Sequence, residues 1–285
     1  MKTKYCDKKA LVVCHLFHEY AVDDILRYIK NFTRRVSNYD IVFTLSADNA
    51  AIKNKISRKL GHCMDNIKIK IICDRAGGFG ADVWPFLCVI NETDLSQYGA
   101  VFKIHTKRNP TNHAKMPKKA GMCFYVGGAM WRKFMISAIM GRGRAPHVVR
   151  ELSASDGKTG MVSFGPLTVP RKITDDIIEI ADRCEIGDWR PDTYRVCYGT
   201  MFAIRAQLLE PIKGIFTADD FITGQNNGRF AFLAYTFEIF FGYLVAAAKM
   251  EYKNLNPWAN KRIMEKLSRR RTFWLYRIYA WMFLY

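Results

Sequence analysis

The chain has 285 residues, 49% of them hydrophobic, and its 44 Lys and Arg outnumber 26 Asp and Glu to leave a formal charge of +18. A chain of that length and apolar content buries one large core, or two small ones, with no need of disulfides. The charge excludes a cationic partner and directs attention to anionic ones: nucleic acid, acidic lipid or a phosphorylated small molecule.

The opening MKTKYCDKKALVVCHLF is basic, but its apolar run is short, runs into a polar HEY and has no small-residue cleavage site, so it reads as a first strand and not a signal peptide. From Ala21 the apolar positions Val22, Ile25, Leu26, Ile29, Phe32 and Val36 are spaced by three and four. That spacing predicts an amphipathic helix, with Asp23 and Asp24 early and Arg34 and Arg35 late, as the helix dipole favours. A strand at Asp40 to Leu45, a polar helix near 48–59, a strand at Ile67 to Ile72, a helix near 83–92 and a strand at Ala100 to Ile104 follow. Strands and helices alternating at short intervals predict a three-layer α/β fold on a mostly parallel sheet with right-handed crossovers.

The second half is less regular. A Lys-, Pro- and Gly-rich loop spans 108–126, with a helix at 128–140, a short strand near Met161, a helix at about 173–183 and a strand around Val196 to Ile204. Residues 231–248 form an apolar run of 18 broken only by Glu238, which reads as a core helix in preference to a membrane span. We divide the chain into a domain at 1–255 and a tail at 256–285. From Lys261 onward the tail holds seven Lys and Arg against one Glu, interleaved with Trp and Tyr. That is the composition of an anchor on an acidic membrane surface.

The eight cysteines show no CxxC pair and no zinc-ligand spacing, and several sit in apolar strand-like runs. They read as free thiols in a reducing compartment.

In open sheets of this kind a ligand lies outside the carboxyl ends of the strands. Here those ends carry His15, Ser46 with Asp48, Asp74, and His105-Thr106-Lys107, so the sheet turns polar along that edge. The cations of GAVFKIHTKRNP are thereby expected to face a cleft and an anion.

Several segments together resemble the rhamnan synthesis protein F family. They are the opening strand and helix ALVVCHLFHEYAVDDILRYIKNF, GFGADVWPFL with Gly80 and Asp82, FKIHTKRNP with Lys103, His105, Thr106 and Lys107, WRKFMISAIMG with Trp131 and Arg132, YGTMFAIRAQLLEPI with Gly199 and Arg205, and FEIFFGYL with Glu238. The resemblance implies a GT-A-like nucleotide-sugar-binding domain. The activity it implies is glycosyltransferase, moving rhamnose or a similar sugar from a nucleoside-diphosphate donor to a growing surface polysaccharide, such as lipopolysaccharide, or a lipid-linked glycan, with inversion. The chain departs from the family pattern at Ala81, where arginine is common, and at Tyr235, where histidine is common. A nucleic-acid-binding protein and a non-catalytic, membrane-associated assembly component are the alternatives.

Glycosyl transfer needs a base for the acceptor hydroxyl and positive charge for the departing diphosphate. Glu238, a carboxylate in an apolar helix, is the preferred base, and Asp82 the second catalytic candidate or a sugar ligand. For Glu238 a structural ion pair, and for Asp82 a plain helix cap, stay open. Donor and diphosphate contacts are assigned to His15, Ser46, Asp74, Gly80, His105, Thr106, Lys107, Arg132, Gly199 and Arg205. A solvated basic loop, with His105 satisfied by a backbone carbonyl, is the competing arrangement. No metal is expected to be obligatory, with magnesium or manganese left open. The expected place is the cytoplasm, peripheral on the inner face of the cell membrane through the tail, with no nucleic-acid partner.

Overall fold

The structure, a computed structural model, describes residues 8–73, 80–106, 113–115, 125–141, 143–164, 168–187, 191–226 and 230–254. The expected α/β architecture is present. Its main sheet has seven strands: β1 (Lys9–His15), β2 (Tyr39–Leu45), β3 (Ile67–Ile71), β4 (Tyr98–His105), β7 (Thr159–Ser163), β10 (Phe202–Arg205) and β11 (Glu251–Asn254), in the order β11-β7-β10-β4-β1-β2-β3. Two short hairpin sheets pair β5 (His113–Lys115) with β6 (Tyr125–Gly127), and β8 (Thr168–Lys172) with β9 (Thr193–Cys197). The helices are α1 (Glu19–Thr33), α2 (Ala50–Leu60), α3 (Val83–Asn91), α4 (Gly128–Met140), α5 (Ala145–Ser153), α6 (Asp175–Arg183), α7 (Ala218–Asn226) and α8 (Phe230–Ala247).

β1 pairs in parallel with both β2 and β4, and β2 with β3. The chain thus steps outward from β1 through β2 to β3, then returns to lay β4 on β1's other side. The order reverses between β1 and β4, the place where open α/β sheets form their ligand crevice, and His15 and His105, the last residues of β1 and β4, are register partners there. β10 is the antiparallel strand, against β4 on one side and β7 on the other.

Alternation along β4 divides its side chains between two helical layers. Phe102 faces α1, its ring 5.3 Å from that of Phe32, whereas the Lys103 ammonium lies 5.6 Å from the ring centre of Phe86 on α3. Lys103 and His105 therefore share the α3 face, where Phe86 also meets Phe241 of α8 at 5.6 Å. α4 joins α1 on the opposite face, with the Tyr28 and Ser137 hydroxyls sharing a hydrogen bond of 3.0 Å.

The run around Glu238 is the core helix expected. Phe237, Phe240, Phe241, Tyr243, Leu244 and Val245 are buried, each such side chain contributing about 1.5–3 kcal/mol. Gly242 lets α8 approach β9, since a Cβ there would overlap the Arg195 carbonyl oxygen. Among the described residues no helix is long and apolar enough to cross a membrane. Cys14, Cys63, Cys184 and Cys197 are buried free thiols.

The strand expected over Val196 to Ile204 is two strands in different sheets. Gly199 (φ 89°) and Thr200 (φ 47°) take left-handed backbone, which ends β9 and redirects the chain into β10.

Candidate functional site

Lys103 sits mid-strand among apolar neighbours, so its ammonium needs a partner inside the fold. It finds Asp82, which follows Ala81 in left-handed backbone (φ 50°) at the start of α3. The two side chains are 2% and 4% exposed. Asp82 makes no capping bond to α3 and instead accepts from Lys103 and from the Thr200 hydroxyl. The Lys103 ammonium also reaches the Thr200 carbonyl at 3.3 Å.

His105 is fully buried, and its Nε2 donates to the Gly199 carbonyl at 2.8 Å, with the Thr200 hydroxyl 3.3 Å away. A carbonyl only accepts, so Nε2 carries a proton. The histidine of the competing arrangement is thus held by a backbone carbonyl as that reading has it, with its ring buried against the 199–200 turn, while the basic loop beyond Thr106 lies outside the described residues. On that turn's other side the Glu238 carboxylate accepts from the Gly199 amide. His15 completes the face, its Nδ1 sharing a 3.0 Å hydrogen bond with the Thr44 hydroxyl. Burial, above all, pushes the His15 pKa down to about 4, with Lys103 and His18 adding repulsion and Asp82 opposing. His15 is thus neutral near pH 7 and offers an anion hydrogen bonds but no charge.

Thr106 acts at the edge itself. Its hydroxyl oxygen accepts from the Phe17 and His18 amides at 2.7 and 2.8 Å, and its own amide donates to the His15 carbonyl at 3.0 Å. One side chain at the end of β4 therefore fixes the turn leading from β1 into α1.

Arg132 enters from the opposite layer. It projects from α4 toward the first turns of α1 and is only 2% exposed, with its guanidinium carbon 6.0 Å from the Tyr20 ring centre and Nη2 3.7 Å from an Asp24 oxygen. Among the described residues its Nε and Nη1 have no hydrogen-bond partner. Buried donors left unpaired cost about 1–3 kcal/mol each, more when charged. Ser46, just beyond β2, also has a buried hydroxyl without a partner among the described residues. Both orphans lie at the carboxyl edge of the sheet.

His15, Asp82, His105, Gly199 and Glu238 thus gather on the α3 face of this edge, whereas Arg132 lies in the opposite layer, against the first turns of α1. Gly80 helps to form the start of α3, its carbonyl accepting from Val83 and Trp84 at 2.8 and 3.1 Å. Arg205 must be removed from the site. β10 runs antiparallel, so Arg205 pairs with Ala100 at the far end of β4 and donates to the carbonyls of Ala154, Gly157 and Thr159. Asp74 and Lys107 lie outside the described residues.

Lys103 and Thr200 are the residues that sequence reasoning left without a role. A lysine inside VFKIH was the available signal; nothing local marks Thr200. Among the described residues no three His, Cys, Asp or Glu converge as metal ligands, and Asp82 is already engaged by Lys103 and Thr200. The described side chains do not fit a metal, and no step below passes through one.

No curated protein matches the chain. Among solved structures, a mannosyltransferase from Pyrobaculum calidifontis in complex with GDP-mannose and Mn2+ superposes with a TM-score of 0.36 at 13% identity, covering 74% of this chain. This chain spans 48% of the length of that enzyme. The mannosyltransferase Ktr4p from S. cerevisiae, in complex with GDP, gives 0.37 at 9% identity over 87% of this chain and 70% of its own. Likeness of this degree does not bear on activity. The family described as rhamnan synthesis protein F matches residues 1–250, which hold every strand of the crevice and every side chain placed in it, and the chain belongs to that family.

Proposed function

We propose that this chain is a glycosyltransferase that moves a sugar from a nucleoside-diphosphate donor to a hydroxyl of a surface polysaccharide or lipid-linked glycan. The observation that carries the reading is Arg132, a buried guanidinium with two N–H groups unpartnered among the described residues, near the edge where the strand order reverses. A pyrophosphate supplies the acceptors that those donors lack, and guanidinium–phosphate pairing is strong because it is charge-assisted and planar.

In the step proposed, the acceptor oxygen bonds to the anomeric carbon as the bond from that carbon to the phosphate oxygen breaks. Glu238 takes the hydroxyl proton, and Arg132 receives the charge that develops on the leaving diphosphate. Asp82 is held by Lys103 and Thr200, so it positions the 199–200 turn and is not available as a second nucleophile. This supports a single displacement, with inversion at the anomeric carbon. His105 and Thr106 serve as positioning residues, one for the Gly199 turn and the other for the turn into α1.

Rhamnose as the transferred sugar and a polysaccharide as acceptor rest on the family. Contact between an acidic membrane and residues 256–285 rests on the charge of that tail, which is outside the described residues. Incubating the full chain with UDP-, GDP- and dTDP-sugars and measuring release of nucleoside diphosphate tests the activity. Turnover of at least one donor is expected, including slow hydrolysis without acceptor; no release from any donor, with or without a rhamnan acceptor, would refute it.

A further inference from the structure

Only four large hydrophobic side chains are exposed among the described residues, and two of them, Phe17 (58%) and Tyr20 (57%), stand at the mouth of this crevice. Scattered surface aromatics need no explanation, but two at one sheet edge, aligned with a buried cation, do. Phe17 meets His18 edge-on at 4.8 Å, His18 meets Tyr20 at 5.4 Å, and the Tyr20 ring centre is 6.0 Å from the Arg132 guanidinium. The row is rigid at its root, because the buried Thr106 hydroxyl holds the Phe17 and His18 amides. It lies directly beyond β1, at the reversal of strand order.

We propose that Phe17 and Tyr20 form the platform on which the donor's nucleobase stacks, with the adjoining pyrophosphate reaching Arg132. The inference rests on the proposed glycosyl transfer and specifies the other end of the same donor. Ring faces supply the broad apolar surface that a base requires, and orphaned guanidinium donors supply what a phosphate requires. The two features adjoin in the order in which a nucleoside diphosphate carries base and phosphate. Holding the turn through Thr106 before the ligand arrives reduces the entropy lost on binding.

The experiment is a calorimetric titration of UDP, GDP, dTDP and inorganic pyrophosphate into the wild-type chain, Phe17→Ala and Tyr20→Ala. Both positions are exposed, so the variants keep the fold. Each substitution is expected to weaken the preferred nucleoside diphosphate about tenfold, the size of one lost base–aromatic stack. Pyrophosphate affinity should stay within about twofold for Phe17→Ala, which is remote from the guanidinium. Nucleoside diphosphate binding unchanged in both variants would overturn the platform, as would equal losses for pyrophosphate and nucleotide in Phe17→Ala. A wild-type chain that releases diphosphate from a nucleotide-sugar while both variants bind it normally sinks the platform alone. A wild-type chain that binds neither ligand and turns over no donor sinks the glycosyl-transfer reading, and this inference with it.

Discussion

Glu238→Gln is expected to lower kcat by about 10²–10⁴-fold, the usual contribution of a positioned general base, with nucleoside diphosphate affinity unchanged within about twofold. The substitution preserves shape, and the glutamine carbonyl oxygen can still accept from the Gly199 amide as the carboxylate does. What is lost is the capacity to take a proton. Glu238 lies one turn beyond Tyr235 on α8 and against the 199–200 turn, which His105 also holds. Its placement is therefore fixed by residues that the substitution leaves in position. Steady-state rates on a turned-over donor, with thermal unfolding as the control for folding, are the measurement. A near-normal kcat in a folded variant would remove Glu238 from catalysis and leave it as an acceptor for a backbone amide.

Lys103→Met should destabilise the fold by about 3–5 kcal/mol, the range seen when one partner of a buried ion pair is removed. The remaining carboxylate, Asp82, is 4% exposed and would lose its ammonium partner while keeping the Thr200 hydroxyl, with His105 Nε2 3.6 Å away. Two non-glycine residues in left-handed backbone, Ala81 and Thr200, flank this carboxylate, and such backbone costs about 1–3 kcal/mol each and persists only where its surroundings enforce it. The pair therefore also holds together two strained turns, one opening α3 and the other joining β9 to β10. Denaturant titration of Lys103→Met, of Asp82→Leu and of the double variant decides the matter. The double variant should lose less than the sum of the two single losses, because no unpaired charge remains. Strict additivity, or a Lys103→Met loss below about 1 kcal/mol, would show that the pair does not organise the crevice.

Much of this fold is legible in the sequence because the first four strands and α1 obey simple periodicities. The three-and-four spacing from Val22 to Phe32 gives the buried stripe of α1, and the polar strand ends mark the edge that carries the crevice. The second half resists such reading for identifiable reasons. α5 begins at the Ala-Pro that closes GRGRAP and is only nine residues long, while β8 and β11 are five and four residues long, too short for alternation to stand out. A strand's direction is also absent from its pattern. The resemblance assigns Arg205 to the donor site, yet an antiparallel β10 carries it to the opposite edge.

The chemistry of GAVFKIHTKRNP was half visible. A histidine at a strand end signals a ligand edge, but whether its ring faces solvent depends on a turn 94 residues away. Lys103 gave the clearer clue, since a lysine within an apolar strand demands a carboxylate. Arg132 was legible as a cation near the site; that its donors are buried and unpaired depends on the packing of α4 against α1, which sequence spacing does not specify.

The most direct test is titration of inorganic pyrophosphate into the wild-type chain and Arg132→Met, with the unliganded melting temperature of each recorded. Losing a buried charge–phosphate contact should weaken binding by about 30-fold to 10³-fold or more. The unliganded variant should melt at the same temperature or higher, because orphaned donors leave the interior. Equal pyrophosphate affinity in the two proteins would contradict the account, for the guanidinium would then be buried without a ligand to receive it.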